Sequence, residues 1–99
     1  MSKLSSTALS GMQAARLQLD AAAHNVANAQ TPGFRRQQVE LSTQTDGGVQ
    51  AQVRTAAQAG ASLETDMVAQ LQAKNAFMAN LAVFRTANRM AGALLDEKA

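Results

Sequence analysis

The stretch Ala27-Asn28-Ala29-Gln30-Thr31-Pro32-Gly33-Phe34-Arg35-Arg36 constrains this chain more than any other. Upstream of it lies a long alanine-rich pattern of helical period. Proline at 32 disfavours the helical region for Thr31, and Gly33 tolerates left-handed or turn geometry. A long helix must therefore end here, and the chain must turn within a few residues. One of only three phenylalanines stands directly after the cut.

The helix that is cut reads from about Ser6 to Gln30. Its stripe, Leu4, Ala8, Met12, Ala15, Leu19, Ala22, Val26 and Ala29, recurs at spacings of three and four. Ser5, Ser6 and Thr7 are candidate N-caps, because short side-chain oxygens accept the unpaired first-turn amides. Most of the stripe is small, so a partner helix can approach closely.

After the turn the period changes to two. Val39 and Leu41 point one way and Gln38, Glu40 and Ser42 the other; Val49, Ala51 and Val53 then alternate with Gln50, Gln52 and Arg54. Asp46, Gly47 and Gly48 supply turn chemistry between them, so the pattern predicts a two-stranded hairpin. Such a hairpin is marginal alone and needs something to lie on. Residues 56–61 read as a flexible joint.

From about Ser62 to Leu95 the helical period returns. Glu64 and Asp66 fall in the first turn, where the helix dipole favours negative charge. The stripe runs Leu63, Met67, Leu71, Lys74, Met78, Leu81, Phe84 or Arg85, Asn88, Ala91 and Leu95, with Phe77 widening the face. The spacing approaches a heptad, and Lys74 and Asn88 interrupt it as register-fixing polar positions. The expected fold is mainly α: two long helices, forming an antiparallel hairpin or part of a bundle, joined by a short β-hairpin. Residues 1–36, 37–61 and 62–99 make up one domain. Met12, Leu19, Val26, Met67, Leu71, Phe77, Met78, Leu81 and Phe84 are the expected helix-packing interface.

Composition narrows the function. Hydrophobic residues are 46% of the 99, but alanine supplies much of that and aromatics only 3%. Alanine buries little area, so the core is thin and the chain is expected to gain stability by packing on other chains. The formal charge is +2. Lys3, Arg16, Arg54, Lys74, Arg85, Arg89 and Lys98 are scattered, and only Arg35 and Arg36 adjoin; this is a solvated face rather than a nucleic-acid stripe. Arg35 and Arg36 are expected to be solvated or to cap carbonyls at a helix end. There is no cysteine. No apolar run is long enough to span a membrane, and the N-terminal sequence lacks the pattern of a cleaved secretory signal. The polar faces also lack the basic, aromatic-flanked pattern of a membrane-surface helix.

Little here supports catalysis. His24 is the single histidine, with Asp20 one turn before it. That spacing reads as a surface ion pair rather than a metal or acid–base site. No glycine-rich phosphate loop and no serine beside a base are present, so no enzyme activity, metal, cofactor, small-molecule substrate or nucleic acid is expected. The methionines read as adaptable fillers in helix packing.

Two motifs carry a resemblance. Ala8-Leu9-Ser10-Gly11-Met12, Leu19-Asp20, Asn25-Val26-Ala27-Asn28-Ala29 and Thr31-Pro32-Gly33-Phe34-Arg35-Arg36 resemble the N-terminal signature of flagellar basal-body rod and hook proteins. In that signature Asn-(Ile/Leu/Val)-Ala-Asn precedes Thr-Pro-Gly-(Tyr/Phe)-(Lys/Arg). Asp66-Met67-Val68, Ala73, Ala76-Phe77, Ala79-Asn80, Val83, Arg85-Thr86 and Met90 are similar to the C-terminal signature of the same family. The departures are Gln30 for asparagine, Phe34 for tyrosine, and a middle of about thirty residues, too short for the outer domain of distal-rod and hook proteins. A proximal-rod-like member or a small accessory paralogue fits that length.

The resemblance implies an axial structural subunit of the basal-body rod. It also implies passage through the flagellar export apparatus without a cleaved signal, and partners among rod proteins and copies of itself, with homo-oligomers when isolated. Asn25, Asn28, Thr31, Pro32, Gly33 and Phe34 would form the assembly and turn motif. Phe34 would pin the turn, and Asn25, Asn28 and Asn80 would satisfy backbone groups around it or across subunits, or else serve as ordinary helix-end polar residues. The alternative is a cytoplasmic helical adaptor or chaperone-like regulator of rod assembly or export.

Overall fold

In the computed structural model, which describes the backbone of residues 3–98 and the side chains of 3–94, four elements follow in order. Helix α1 spans Lys3–Ala27, strand β1 Gln37–Thr43, strand β2 Val49–Thr55 and helix α2 Leu63–Lys98. The mainly helical fold with a short hairpin between two long helices is the one the periodicities predict. Leu95 and Lys98, read as the last stripe position and a scattered charge, have side chains outside those described.

Helix α1 begins before the expected caps, so Ser5, Ser6 and Thr7 lie inside it. Ser5 serves another purpose: it is only 1% exposed, and its hydroxyl meets Asn88 Oδ1 on α2 at 3.2 Å. At its other end α1 stops at Ala27, short of Gln30. The last turn tightens there. Asn28 N and Asn28 Nδ2 both donate to His24 O at 3.1 and 2.9 Å, and Ala29 N donates to Val26 O at 3.2 Å. Helix α2 starts behind Ser62, whose carbonyl accepts from Asp66 N at 3.0 Å. Its 36 residues correspond to about 54 Å of helix.

The helices run antiparallel, with Ser5 against Asn88 at one end and Asn25 against Asp66 at the other. The core between and around them is made of alanines: Ala8, Ala14, Ala15, Ala21, Ala22, Ala73 and Ala87 are buried. Gly11 lies against α2. A Cβ added there would meet the end of the Asn80 side chain, Oδ1 at 2.6 Å and Cγ at 2.8 Å, so a larger residue has to displace that amide, and the glycine serves the spacing rather than its dihedral freedom.

The strands pair antiparallel with Val39 opposite Val53, Leu41 opposite Ala51 and Thr43 opposite Val49, the alternation the sequence predicts. The hairpin lies along α1, and neither strand comes within 8 Å (Cα–Cα) of α2. It is anchored at its tip by Ser10, whose hydroxyl donates to Thr7 O at 2.7 Å and accepts Val49 N at 3.1 Å. Leu41 and Val53 remain 50% and 42% exposed, so only part of the apolar ribbon is covered. On the opposite face Glu40 and Arg54 form an exposed pair at 3.2 Å, the kind that contributes under about 1 kcal/mol. The segment read as a flexible joint is tied at both ends: Ala56 N donates to Arg36 O at 2.7 Å and Gly60 N to Phe34 O at 3.0 Å.

Candidate functional site

The end of α1, the turn after it and the start of α2 converge on one polar clamp. Asn25 is 3% exposed, and its side-chain amide imitates a peptide. Oδ1 accepts Gln37 N at 2.7 Å while Nδ2 donates to Gln37 O at 2.9 Å. The first residue of β1 is thereby paired to a helix side chain as if to a neighbouring strand. Asn25 Nδ2 also donates to Asp66 Oδ1 at 3.2 Å.

Asp66, 2% exposed, receives the Arg36 guanidinium in a two-pronged pair. Arg36 Nε reaches Oδ2 at 2.9 Å, and Nη2 reaches Oδ1. Bidentate geometry of this kind is directional as well as strong. The hydrogen bonds from Arg36 hold the Asp66 carboxyl below its usual range against the opposing cost of burial, and the Asn25 amide adds to the effect. Beside the clamp a cleft of about 540 Å³ opens between β1 and α2, with Gln18, Ala22 and Asn25 among its lining residues.

The turn itself is built as its residues suggest. Thr31 N donates to Asn28 O at 3.0 Å, Thr31 Oγ1 to Asn28 Oδ1 at 3.2 Å, and Phe34 N to Thr31 O at 3.2 Å. Gly33 adopts φ of 72°, a left-handed conformation that a Cβ would strain. Phe34 then packs on His24, with ring centroids 5.4 Å apart and planes tilted by 60°, within the range of favourable aromatic pairs. Arg35 Nε donates to Ala56 O at 2.6 Å. Arg35 thus caps a carbonyl after β2 rather than one at a helix end.

Asn25, Asn28, Thr31, Pro32, Gly33 and Phe34 thus gather at one end of the helical pair. Asn80 lies instead at the middle of the seam, donating to Ala76 O at 2.9 Å. The expected Asp20–His24 ion pair is absent among the described residues; His24 faces Phe34 instead. Met12, Leu19, Val26, Phe77, Leu81 and Phe84 are half-buried. Met67, Leu71 and Met78 do not pack within the chain: they are 55%, 60% and 56% exposed. Around α2 the buried seam follows Asp66, Ala73 and Ala87, with Asn80 among them, and the methionine–leucine stripe lies on a different side of the helix. Of the two polar interruptions, Asn88 does meet α1, whereas Lys74 is exposed.

Sequence reasoning missed the Arg36–Asp66 pair, since thirty residues separate them and Asp66 alone reads as a helix-start acid. It also missed Gly11 as a packing residue. The signal was present, because glycine inside a helix costs about 1 kcal/mol relative to alanine and calls for a steric reason. Among the described residues no group of three or more His, Asp or Glu comes together to hold a metal ion, and no helix is long and apolar enough to cross a membrane.

Residues 6–35 match the family model described as Flagella basal body rod protein. The matched span covers α1 from Ser6 through the turn to Arg35, and it bears out the resemblance to the rod-protein family carried by the N-terminal motif; the C-terminal motif lies outside it. That family is a structural component of the flagellum rather than a family of enzymes, and the role the match supports is a general one in the basal-body rod. No curated protein matches the chain.

Proposed function

We propose that this chain is a structural subunit of the bacterial flagellar rod that assembles through its two terminal helices with copies of itself and with other rod proteins. The observation that carries this reading is the rod-family match over α1 and its turn. The exposed stripe on α2 supports it, because Met67, Leu71 and Met78 form an apolar row that the chain itself leaves uncovered. In this reading the subunit leaves the cell body through the flagellar export apparatus and works within the basal body. The clamp and the Phe34–His24 contact hold the turn so that both helices present fixed faces to neighbouring subunits.

Deleting the gene and imaging purified basal bodies while scoring motility tests the proposal. Absent or truncated rods are expected, restored by the wild-type gene and restored poorly by Phe34→Ala, while the isolated Phe34→Ala chain keeps its helical content. Intact rods and normal swimming in the deletion strain would overturn the structural role.

A further inference from the structure

The open stripe on α2 carries charges in an order that selects its partner. Along one side of the helix run Leu63, Glu64, Met67, Leu71, Lys74, Met78, Leu81 and Arg85. Glu64, Lys74 and Arg85 are exposed, Leu81 is half-buried, and Leu63, Met67, Leu71 and Met78 are 47% to 60% exposed. The row is close to symmetric about Lys74. An acid stands at its start, a base at its end, and two apolar side chains lie on either side of the centre.

A second α2 laid parallel and in register would set Glu64 on Glu64, Lys74 on Lys74 and Arg85 on Arg85. Laid antiparallel about a two-fold axis near Lys74, it sets Glu64 of each copy beside Arg85 of the other, Met67 beside Leu81 and Leu71 beside Met78. Only the two Lys74 ammonium groups then meet, and long lysine stems let them splay into water. Leu19 on α1 joins Met67, Gln70, Leu71 and Lys74 around a depression of about 430 Å³, which can seat an apolar side chain from the second copy.

We propose that free copies of this chain pair two-fold and antiparallel through the α2 stripe. The proposal rests on the reading that this stripe is an assembly surface and adds what covers it before assembly. An isologous pair is closed, so it masks the stripe of each copy without nucleating an open polymer. A seam of about six helical turns belongs to the small end of protein interfaces, and micromolar affinity is expected.

The test is sedimentation equilibrium of the wild-type chain, Glu64→Arg, Arg85→Glu and an equal mixture of the two variants, from about 5 to about 200 µM to span that affinity. Both positions are exposed, and circular dichroism verifies that each variant stays folded. The wild type is expected to dimerise. Each single variant places two like-charge contacts in its own pair and should lose about tenfold or more in affinity. The mixture should recover dimers. In the mixed pair the arginine introduced by Glu64→Arg faces the glutamate introduced by Arg85→Glu, and the unaltered Arg85 of the first variant faces the unaltered Glu64 of the second. A monomeric wild type, single variants that dimerise normally, or a mixture that fails to recover would each overturn the proposal. Larger species growing with concentration would overturn the closed pair while leaving the rod reading intact. Rod loss in the deletion strain is scored separately, so failure of one reading is distinguishable from failure of the other.

Discussion

Asp66 is where the turn and both helices meet, and its chemistry sets a pH dependence. Because its carboxyl is held below the usual range by Arg36, the folded state binds that proton less readily than the unfolded chain. Its contribution is therefore fully present above about pH 4, the ordinary aspartate value, and disappears as pH falls further through the lower folded value. Removing the charge while keeping the shape, as in Asp66→Asn, leaves the Arg36 guanidinium without its counter-ion. A loss of about 2 kcal/mol at neutral pH is expected by urea denaturation, with a flatter acid limb than wild type. Gly11 tests a different force. Gly11→Ala drives a Cβ into the end of the Asn80 side chain, which must shift and give up its bond to Ala76 O; a cost of roughly 1–3 kcal/mol is expected to outweigh the better helix propensity of alanine, about 1 kcal/mol. With Asn80→Ala as the background the clash is gone, and the same substitution should become stabilising by up to about 1 kcal/mol. A double-mutant cycle reads that change of sign.

At the scale of elements, the hairpin depends on α1 for its place. Ser10→Ala removes the acceptor of Val49 N and should cost about 1 kcal/mol. Faster amide exchange is expected over residues 44–51, while exchange in α2 stays as in the wild type. What could be read from sequence divides along the same lines. Both helices, the hairpin, its Asp46–Gly48 turn and the stop of α1 ahead of Pro32 follow from local chemistry: period, turn residues and a ring that forbids continuation. The seam does not, because alanine occurs on several sides of α2 and period alone cannot say which side is buried. Larger residues such as Met67, Leu71 and Met78 suggested the inward face, yet a seam set by Gly11 and alanines admits only small side chains, so the large ones are turned outward. The clamp was illegible for another reason. Arg36 and Asp66 meet only because the hairpin returns the chain to its starting point.

The whole molecule is long and flat, with a Cα envelope of 62 × 24 × 13 Å. Helix α2 continues about ten residues past the Ser5–Asn88 contact and projects beyond its partner. Truncation after Arg89 should lower helical ellipticity by about a seventh, in proportion to the helical residues lost. The urea midpoint should move little, because the removed segment lies past the Ser5–Asn88 contact. One consequence reaches past this chain. Gly60 N bonds Phe34 O at 3.0 Å and Ala56 N bonds Arg36 O at 2.7 Å, so the ribbon departs and returns through one narrow neck, and beyond that neck it rests on α1 and not on α2. Relatives that keep the neck and the Asn25–Gln37 pairing are expected to tolerate a longer or shorter ribbon over evolutionary time with the registration of the two helices unchanged.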